Sequence, residues 1–128
     1  MGPDLEYVAE YHRMTVEQVI DLHQSANYRV LAIGFMPGFP YLGGMSPKIR
    51  TPRLPTPRVC VAAGSVGIGG AQTGIYPLAS PGGWRLIGRT PATLFFPSKS
   101  PPVLFAVGDT VRFIPISCQD FAAYEDQA

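Results

Sequence analysis

Glycine and proline divide most of this chain into short apolar stretches. Its 128 residues include 14 Gly and 14 Pro, the residues least suited to the interiors of helices and strands. Because 46% of the residues are hydrophobic and only 15% are charged, the chain is too apolar for a disordered segment. The composition therefore predicts a packed core, and the length predicts one domain over residues 1–128.

From Tyr28 onward, the apolar stretches have the length of β-strands and are bounded by Gly or Pro clusters. Many short strands at this spacing predict a mainly β fold, with a closed or nearly closed antiparallel barrel. The longest irregular stretch, residues 35–58, contains six prolines, and a loop of that length is usually functional. The predicted strands cover residues 28–33, 59–63, 65–68, 74–79, 84–87, 92–96 and 111–116.

Two short helices are predicted before the first strand. Asp4 can cap a helix whose inward stripe ends at His12. Thr15 and Gln18 form a capping box for a second helix, which carries His23 on its apolar stripe. A histidine on such a face is either a hydrogen-bonded core residue or a ligand or catalytic group. His23 is the stronger candidate because its helix leads directly into the first motif described below.

Acidic side chains are absent from the middle of the sequence. Between Asp21 and Asp109 there are eight cations and no carboxylate. This imbalance favours an anionic ligand or an acidic partner, unless the cations only lie on solvated loops. The interval lacks the carboxylates that glycoside hydrolysis, Mg²⁺ binding or a catalytic His would need. We expect Asp109 to be a turn residue that opens the last strand. The dispersed cations argue against nucleic acid as a partner.

The cysteine and hydropathy patterns indicate the compartment. Cys60 and Cys118 form neither a C-x-x-C pair nor a secreted disulfide framework, so we expect no metal site and a reducing cytoplasmic environment. No stretch approaches ~18 uninterrupted apolar residues, and the N-terminus lacks the plan of a signal peptide. A membrane is therefore not expected among its partners.

An aromatic and proline-rich motif covers residues 34–44. Its prolines hold aromatic rings rigidly, while its glycines allow tight turns. This pattern is typical of a pocket wall or partner surface, and equally of a hydrophobic loop that caps the barrel. The candidate residues are Phe35, Pro37, Phe39, Pro40 and Tyr41, together with Trp84, the only tryptophan.

A glycine-rich motif covers residues 63–77. Its backbone N–H groups could cradle an anion, with Gln72 and Thr73 adding side-chain donors and acceptors. It is not a P-loop, because no Gly-Lys-Ser/Thr follows, and it is not a nucleophile elbow. Since no acid accompanies either histidine, a hydrolase triad is not expected.

A third motif covers residues 79–90. Gly82 and Gly83 predict a hairpin or tight turn. Arg85 and Arg89 have equal parity along the following strand and should share a face. Such a pair suits a carboxylate or phosphate, although charges that protect a strand edge explain it as well.

These motifs resemble those of the KipI family, the allophanate hydrolase subunit 1-like group that includes the B component of bacterial ATP-dependent 5-oxoprolinase. Five ordered elements carry the resemblance, which covers nearly the whole chain. They are GFMPGFPYLGG at residues 34–44, TPR and TPR at 51–53 and 56–58, AGSVGIGGAQTGIYP at 63–77, SPGGW at 80–84 and LIGRT at 86–90.

The resemblance implies a cyclophilin-like antiparallel β-barrel with two short N-terminal helices. It further implies the C-terminal domain of a longer KipI-type subunit whose N-terminal domain is absent here. Family members work with a KipA-like subunit and a LamB/YcsF-like subunit to open 5-oxoproline to glutamate at the expense of ATP. ATP and its Mg²⁺ are then expected to be held mainly by a partner subunit, and the isolated domain is expected to be inactive.

Roles for individual residues follow from motif membership and residue type. His23 and Tyr76 are the candidate catalytic groups, because both can handle a proton. The candidate substrate-binding residues are arginines for the substrate carboxylate and neutral hydrogen-bonding groups for the lactam. They are Arg53, Arg58, Arg85 and Arg89 for the carboxylate, and Gln72 and Thr73 for the lactam.

Other functions stay open within the same family. KipI is an inhibitor of a sporulation histidine kinase, and the aromatic loop at residues 35–41 could pack on a helical bundle while nearby cations meet acidic residues. A subunit for allophanate or urea metabolism is a further alternative. Prolyl isomerisation rests on fold alone, and the Phe-His-Arg run of cyclophilins does not occur here.

Overall fold

The computed structural model describes residues 2–34, 36–100 and 102–127, with side chains as far as Tyr124. Three α-helices, one 3₁₀ helix and eight short strands follow one another along these residues. In chain order they are α1 (Leu5–Tyr11), α2 (Val16–Gln24), β1 (Tyr28–Ile33), β2 (Pro40–Gly43), the 3₁₀ helix (Pro47–Ile49), β3 (Arg58–Val61), β4 (Ser65–Gly69), β5 (Gln72–Ile75), β6 (Ser80–Gly82), β7 (Arg85–Arg89), β8 (Thr110–Val111) and α3 (Cys118–Gln127).

The helix α2 begins with the predicted capping box. The Gln18 N–H donates to Thr15 Oγ1 at 3.1 Å, and the Thr15 N–H donates to Gln18 Oε1 at 2.8 Å. The prediction for α1 is wrong in one respect, since the Asp4 side chain makes no capping hydrogen bond. Its carboxylate instead binds Arg58 and the backbone of Leu86, because a buried carboxylate gains more from a charged partner than from a helix N–H.

The mainly β, antiparallel fold is confirmed, but the sheet is not closed into a barrel. Six strands form one sheet in the order β7-β4-β5-β2-β1-β8, and β3 pairs with β6 in a second, two-stranded sheet. The strand predicted at 92–96 is reduced to one bridge, between Phe95 and Val103. Of the strand predicted at 111–116, only Val111 lies in a strand, β8, which begins one residue earlier at Thr110. Flanking prolines at positions 91, 97, 102 and 115 remove the backbone donors that closure would need.

Several elements were not predicted from the sequence. The strand β2 lies inside the proline-rich stretch that was predicted to be irregular, and α3 lacks a clear apolar stripe. Gly82 ends strand β6 rather than forming a hairpin turn. By contrast, Asp109 takes the predicted turn position before β8, where its Oδ2 accepts the Ala106 N–H at 2.8 Å.

The two faces of the sheet support separate clusters of buried side chains. On one face, Val30, Leu42 and Ile68 pack with Val8 and Val19 of the helices. On the other face lies a smaller cluster that contains Phe39, Val61, Tyr76, Trp84 and Leu86. Side chains alternate along β4, so Gly67 and its partner Leu86 face the second cluster. Ile68 and its partner Arg85 face the helices.

Candidate functional site

A pocket of about 350 Å³ opens over the smaller cluster. Its floor consists of Phe39, Tyr76 and Trp84, all at least 94% buried. Residues of the proline-rich loop and of β6 form the walls, and Arg53 lies at the rim. None of the described residues that line the pocket is acidic, so the charge of Arg53 is not opposed within it.

The aromatic floor is fixed by edge-to-face packing. The Phe39 ring centroid lies 5.2 Å from that of Tyr76 and 5.3 Å from that of Trp84, with interplanar angles of 86° and 90°. Tyr41 packs on the edge of Trp84 at 5.8 Å. Three of the candidate residues, Phe39, Tyr41 and Trp84, thus pack together at one pocket.

Glycines of the second motif make room for these rings. An added Cβ at Gly69 would collide with the Trp84 indole, and one at Gly74 would come within 2.9 Å of the Phe39 ring. The motif forms the β4–β5 hairpin at the centre of the sheet, with β7 and β2 on either side. Gly69 and Gly74 therefore allow close packing of Trp84 and Phe39 on the sheet.

Arg53 and Tyr76 supply the polar groups of the pocket. The Arg53 Cζ lies 5.7 Å from the Trp84 ring centroid, a cation–π distance. Burial raises the pKa of Tyr76 above 10.0 and outweighs the opposing effects of the Trp84 N–H and of the charges on Arg53 and Arg58. At neutral pH the Tyr76 hydroxyl is therefore protonated and acts as a neutral hydrogen-bonding group.

Arg58 is held beside the pocket by an ion pair. Its Nη1 and Nη2 donate to Asp4 Oδ2 and Oδ1 at 2.7 and 2.8 Å. Arg58 lies in the interval of the sequence that has no acidic residue, and it is paired with a carboxylate from outside that interval, Asp4. This contact was missed because Asp4 and Arg58 are 54 residues apart.

His23 and Thr73 lie together on the opposite, helix-facing side of the sheet. The Thr73 hydroxyl donates to the Gly67 carbonyl at 2.8 Å, so it accepts its 2.9 Å bond from His23 Nε2. Burial lowers the pKa of His23 to about 4, and its ring packs on Tyr28 and Phe113. These two candidates form a buried, neutral pair and are not among the residues that line the aromatic pocket.

Arg85 and Arg89 do not share a face. Arg85 pairs with Ile68 and Arg89 with Ser65, so four steps along β7 correspond to three along β4. A bulge at Ile87 causes this mismatch and reverses the alternation. Arg85 is buried, its Nε donates to the Pro52 carbonyl at 3.1 Å, and its Cζ lies 3.7 Å from the Tyr7 ring centroid.

Arg89 lies at the opposite side of the strand from Arg85. Its Nε donates to the Ala63 carbonyl at 3.1 Å, and its Cζ lies 5.4 Å from the Phe121 ring centroid. It lines two smaller clefts near the C-terminal segment rather than the aromatic pocket. The predicted pair of flanking guanidiniums is therefore absent from β7.

The remaining candidates are dispersed. Gln72 is half-buried at the start of β5, Pro37 is exposed in a turn, and Pro40 is buried in β2. Phe35 lies outside the described residues. The sequence interpretation missed Leu54 and Pro57, which form pocket walls; the clustering of prolines near Arg53 is the signal that could have identified them.

The pocket does not fit a site for ATP with Mg²⁺. Its described lining contains no carboxylate, the usual protein ligand for this ion. Among residues 2–34, 36–100 and 102–127, no group of three or more His, Cys, Asp or Glu side chains is arranged to hold a metal ion. Within the same ranges, no helix has the length and apolar character needed to span a membrane.

Fold and site together define a mainly β domain with an aromatic pocket that Arg53 also lines. Residues 1–105 match the carboxyltransferase domain, subdomains C and D. The chain belongs to this family.

Curated relatives include two proteins named as the B component of 5-oxoprolinase. That of Bacillus subtilis is 52% identical over 127 residues, which cover 99% of this chain and 53% of the relative. That of Haemophilus influenzae is 56% identical over 113 residues, which cover 88% of this chain and 53% of the relative. The chain thus spans about half the length of the curated relatives it matches.

Solved structures share the fold. A conserved uncharacterized protein from Pyrococcus horikoshii superposes with a TM-score of 0.90 at 54% identity, over 94% of this chain and 56% of that one. The urea carboxylase of Kluyveromyces lactis superposes with a TM-score of 0.80 at 28% identity, over 94% of this chain and 11% of that one.

Proposed function

We propose that this domain binds 5-oxoproline in the aromatic pocket and works within the B component of an ATP-dependent 5-oxoprolinase. The carrying observation is a pocket that combines a flat aromatic floor with the Arg53 cation and has no acidic side chain among its described lining residues. 5-Oxoproline is a small, nearly planar lactam with one carboxylate. Its chemistry therefore matches the pocket, and the names of the relatives at 52% and 56% identity agree with this assignment.

Each polar group of the pocket has a task in this proposal. Arg53 pairs with the substrate carboxylate, while the lactam ring lies against Trp84. The protonated Tyr76 hydroxyl hydrogen-bonds to the lactam and orients it. Arg58 lies beside the pocket, where its two-pronged ion pair with Asp4 balances its charge.

The enzyme proposed here is an assembly. A KipA-like subunit and a LamB/YcsF-like subunit complete it. We assign the binding of ATP and Mg²⁺ mainly to these partners, since the described residues that line the aromatic pocket include no carboxylate. Two exposed free cysteines, Cys60 and Cys118, agree with a cytoplasmic location.

A urea-related role is the second candidate, favoured by the likeness to Kluyveromyces lactis urea carboxylase. Urea is also a planar amide but lacks a carboxylate, so a urea site has no use for Arg53. The kinase-inhibitor interpretation is less favoured, because Phe39 and Pro40 of the aromatic loop are buried and offer little surface to a helical bundle.

The test is 5-oxoproline-dependent ATP hydrolysis by the full-length protein mixed with its presumed KipA-like and LamB/YcsF-like partners, each omitted in turn. Activity only in the complete mixture, reduced at sub-saturating 5-oxoproline by Arg53→Ala but kept with Lys48→Ala, supports the proposal. Lys48 is the matched control because it is an exposed cation outside the pocket. No activity from well-folded subunits, or equal loss in both variants, refutes it.

A further inference from the structure

Asp4, the residue just before α1, connects two sides of the aromatic pocket. The Asp4 carboxylate accepts two hydrogen bonds from Arg58, at 2.7 and 2.8 Å. The same Oδ2 accepts the Leu86 N–H at 2.7 Å, and the Asp4 N–H donates to the Leu86 carbonyl at 2.8 Å. Asp4 therefore binds a side chain of β3 and the backbone of β7 at once.

Both attachments lead directly into the pocket. Arg58 follows Pro57 and pairs with Gly82 across the β3–β6 sheet, and Pro57 and Gly82 both line the pocket. Leu86 lies two residues after Trp84 and packs in the same cluster. Asp4 is therefore bonded to chain segments on both sides of the pocket.

Asp4 itself lies outside the pocket lining and is well shielded, since its side chain is only 8% exposed, against 30% for Arg58. Burial alone would raise the pKa of Asp4. Hydrogen bonds from Arg58 and the Leu86 N–H, together with the charges of Arg58 and Arg85, outweigh burial and hold this pKa below 3.8. The carboxylate is therefore ionised at neutral pH, and its charge-assisted bonds are strong.

We propose that Asp4 is a positioning residue for the pocket. Through Arg58 and Leu86, it holds Pro57 of the pocket wall and Trp84 of the pocket floor at the spacing that the ligand requires. The kinetic part of this inference rests on the proposed function, because it takes 5-oxoproline as the ligand. Loss of the Asp4 charge removes none of the groups that line the pocket but loosens the spacing between them. Its effect should therefore fall on substrate binding.

The first measurement compares Asp4→Asn with Val8→Ala in the complete three-subunit mixture. Val8 is fully buried on the same helix and does not line the pocket, so it controls for a general loss of stability. At a temperature where all variants are folded, Asp4→Asn should raise KM for 5-oxoproline about tenfold, with kcat within about twofold. Val8→Ala should lower Tm without changing KM. An equal rise of KM in both variants overturns the positioning role.

The second measurement needs no substrate. In the 128-residue chain Trp84 is the only tryptophan. Acrylamide quenching of its fluorescence therefore reports how accessible the indole in the pocket floor is to solvent. Asp4→Asn should increase quenching and Val8→Ala should not; unchanged quenching in Asp4→Asn overturns the inference. If quenching rises as expected but the wild-type mixture has no 5-oxoproline-dependent activity, the proposed function fails and the positioning role stands.

Arg58→Lys is the second variant, for the case that Asp4→Asn does not fold. It keeps the positive charge but loses the two-pronged geometry of the guanidinium. It should increase Trp84 quenching and raise KM in the same direction as Asp4→Asn. A fully folded Arg58→Lys variant with wild-type quenching and KM contradicts the proposal.

Discussion

The indole ring of Trp84 lies directly over Gly69, so closely that a methyl group on Gly69 would collide with the ring. Gly67 has a related role, because an added Cβ there would lie 3.0 Å from the Trp84 Cβ. The β4–β5 hairpin and the aromatic pocket are therefore one unit. Gly67 and Gly69 of the glycine-rich motif leave the space that Trp84 of the third motif occupies.

Substitution of these glycines tests this coupling. Gly69→Ala should displace Trp84 and lower the free energy of unfolding by about 1–3 kcal/mol, since overpacking forces the ring or the backbone to move. Gly88→Ala is the matched control, because nothing lies within 4 Å of its added Cβ and its φ is not positive. Urea unfolding and the Trp84 emission maximum measure the two effects. Equal stability of the two variants would contradict the packing described here.

Hydrophobic patterning predicted the elements that depend on local spacing. The bounds of β1 agree with the predicted strand at 28–33, and β4 extends one residue beyond the predicted 65–68. The strand β2 was missed because it begins with Pro40 and lies in a stretch rich in proline, where the sequence signals irregular structure. Pro40 is tolerated because it is the first residue of β2, where it pairs with Ile33 of β1.

The candidate site was only partly predictable, for physical reasons. The aromatic residues of the motifs were recognised as candidates because large rings bury much surface and pack against one another, and Phe39, Tyr76 and Trp84 lie together in the pocket floor. The separation of Arg85 from Arg89 was not predictable, since the bulge at Ile87 has no signature in side-chain alternation. The Asp4–Arg58 pair depends on tertiary contact alone.

The burial of His23 predicts a specific pH dependence of stability. Its pKa is about 4 in the folded protein against 6.5 for an ordinary histidine, so between these values the unfolded chain binds a proton that the native state does not. Stability should therefore be unaffected by this group above pH 6.5 and fall as pH drops from 6.5 towards 4, by on the order of 3 kcal/mol in total. Urea unfolding at pH 7.5, 6.0 and 5.0 measures the slope.

His23→Gln should abolish most of that slope, because it removes the titrating ring. His12→Gln should retain it, since the buried His23 is still present. The low pKa of Asp4 affects stability only as pH falls through and below 3.8, outside the measured range. A slope that survives in His23→Gln would show that another group causes it.

Thr73 offers a test of whether its hydroxyl serves the core or the substrate. Thr73→Val removes the bond to the Gly67 carbonyl and leaves His23 Nε2 without an acceptor, which should cost about 1–3 kcal/mol of stability. Because both bonds lie on the helix side of the sheet, KM for 5-oxoproline should stay unchanged. Thr73→Ser keeps the hydroxyl and should behave like the wild type. A large rise of KM in folded Thr73→Val would support the substrate-binding role predicted from the sequence.

Arg53 and Arg89 form the sharpest comparison among the candidate arginines, since both are exposed and both have an aromatic neighbour. Only Arg53 lines the aromatic pocket. In the complete mixture, Arg53→Ala should raise KM for 5-oxoproline by about tenfold or more, the loss expected for one charge-assisted carboxylate contact. Arg89→Ala should leave KM within about twofold of the wild type, because its Nε bond and its ring contact lie near Ala63 and Phe121. The opposite ranking, with Arg89→Ala the more damaging for KM, would move the substrate carboxylate to the clefts near the C-terminal segment and away from Trp84.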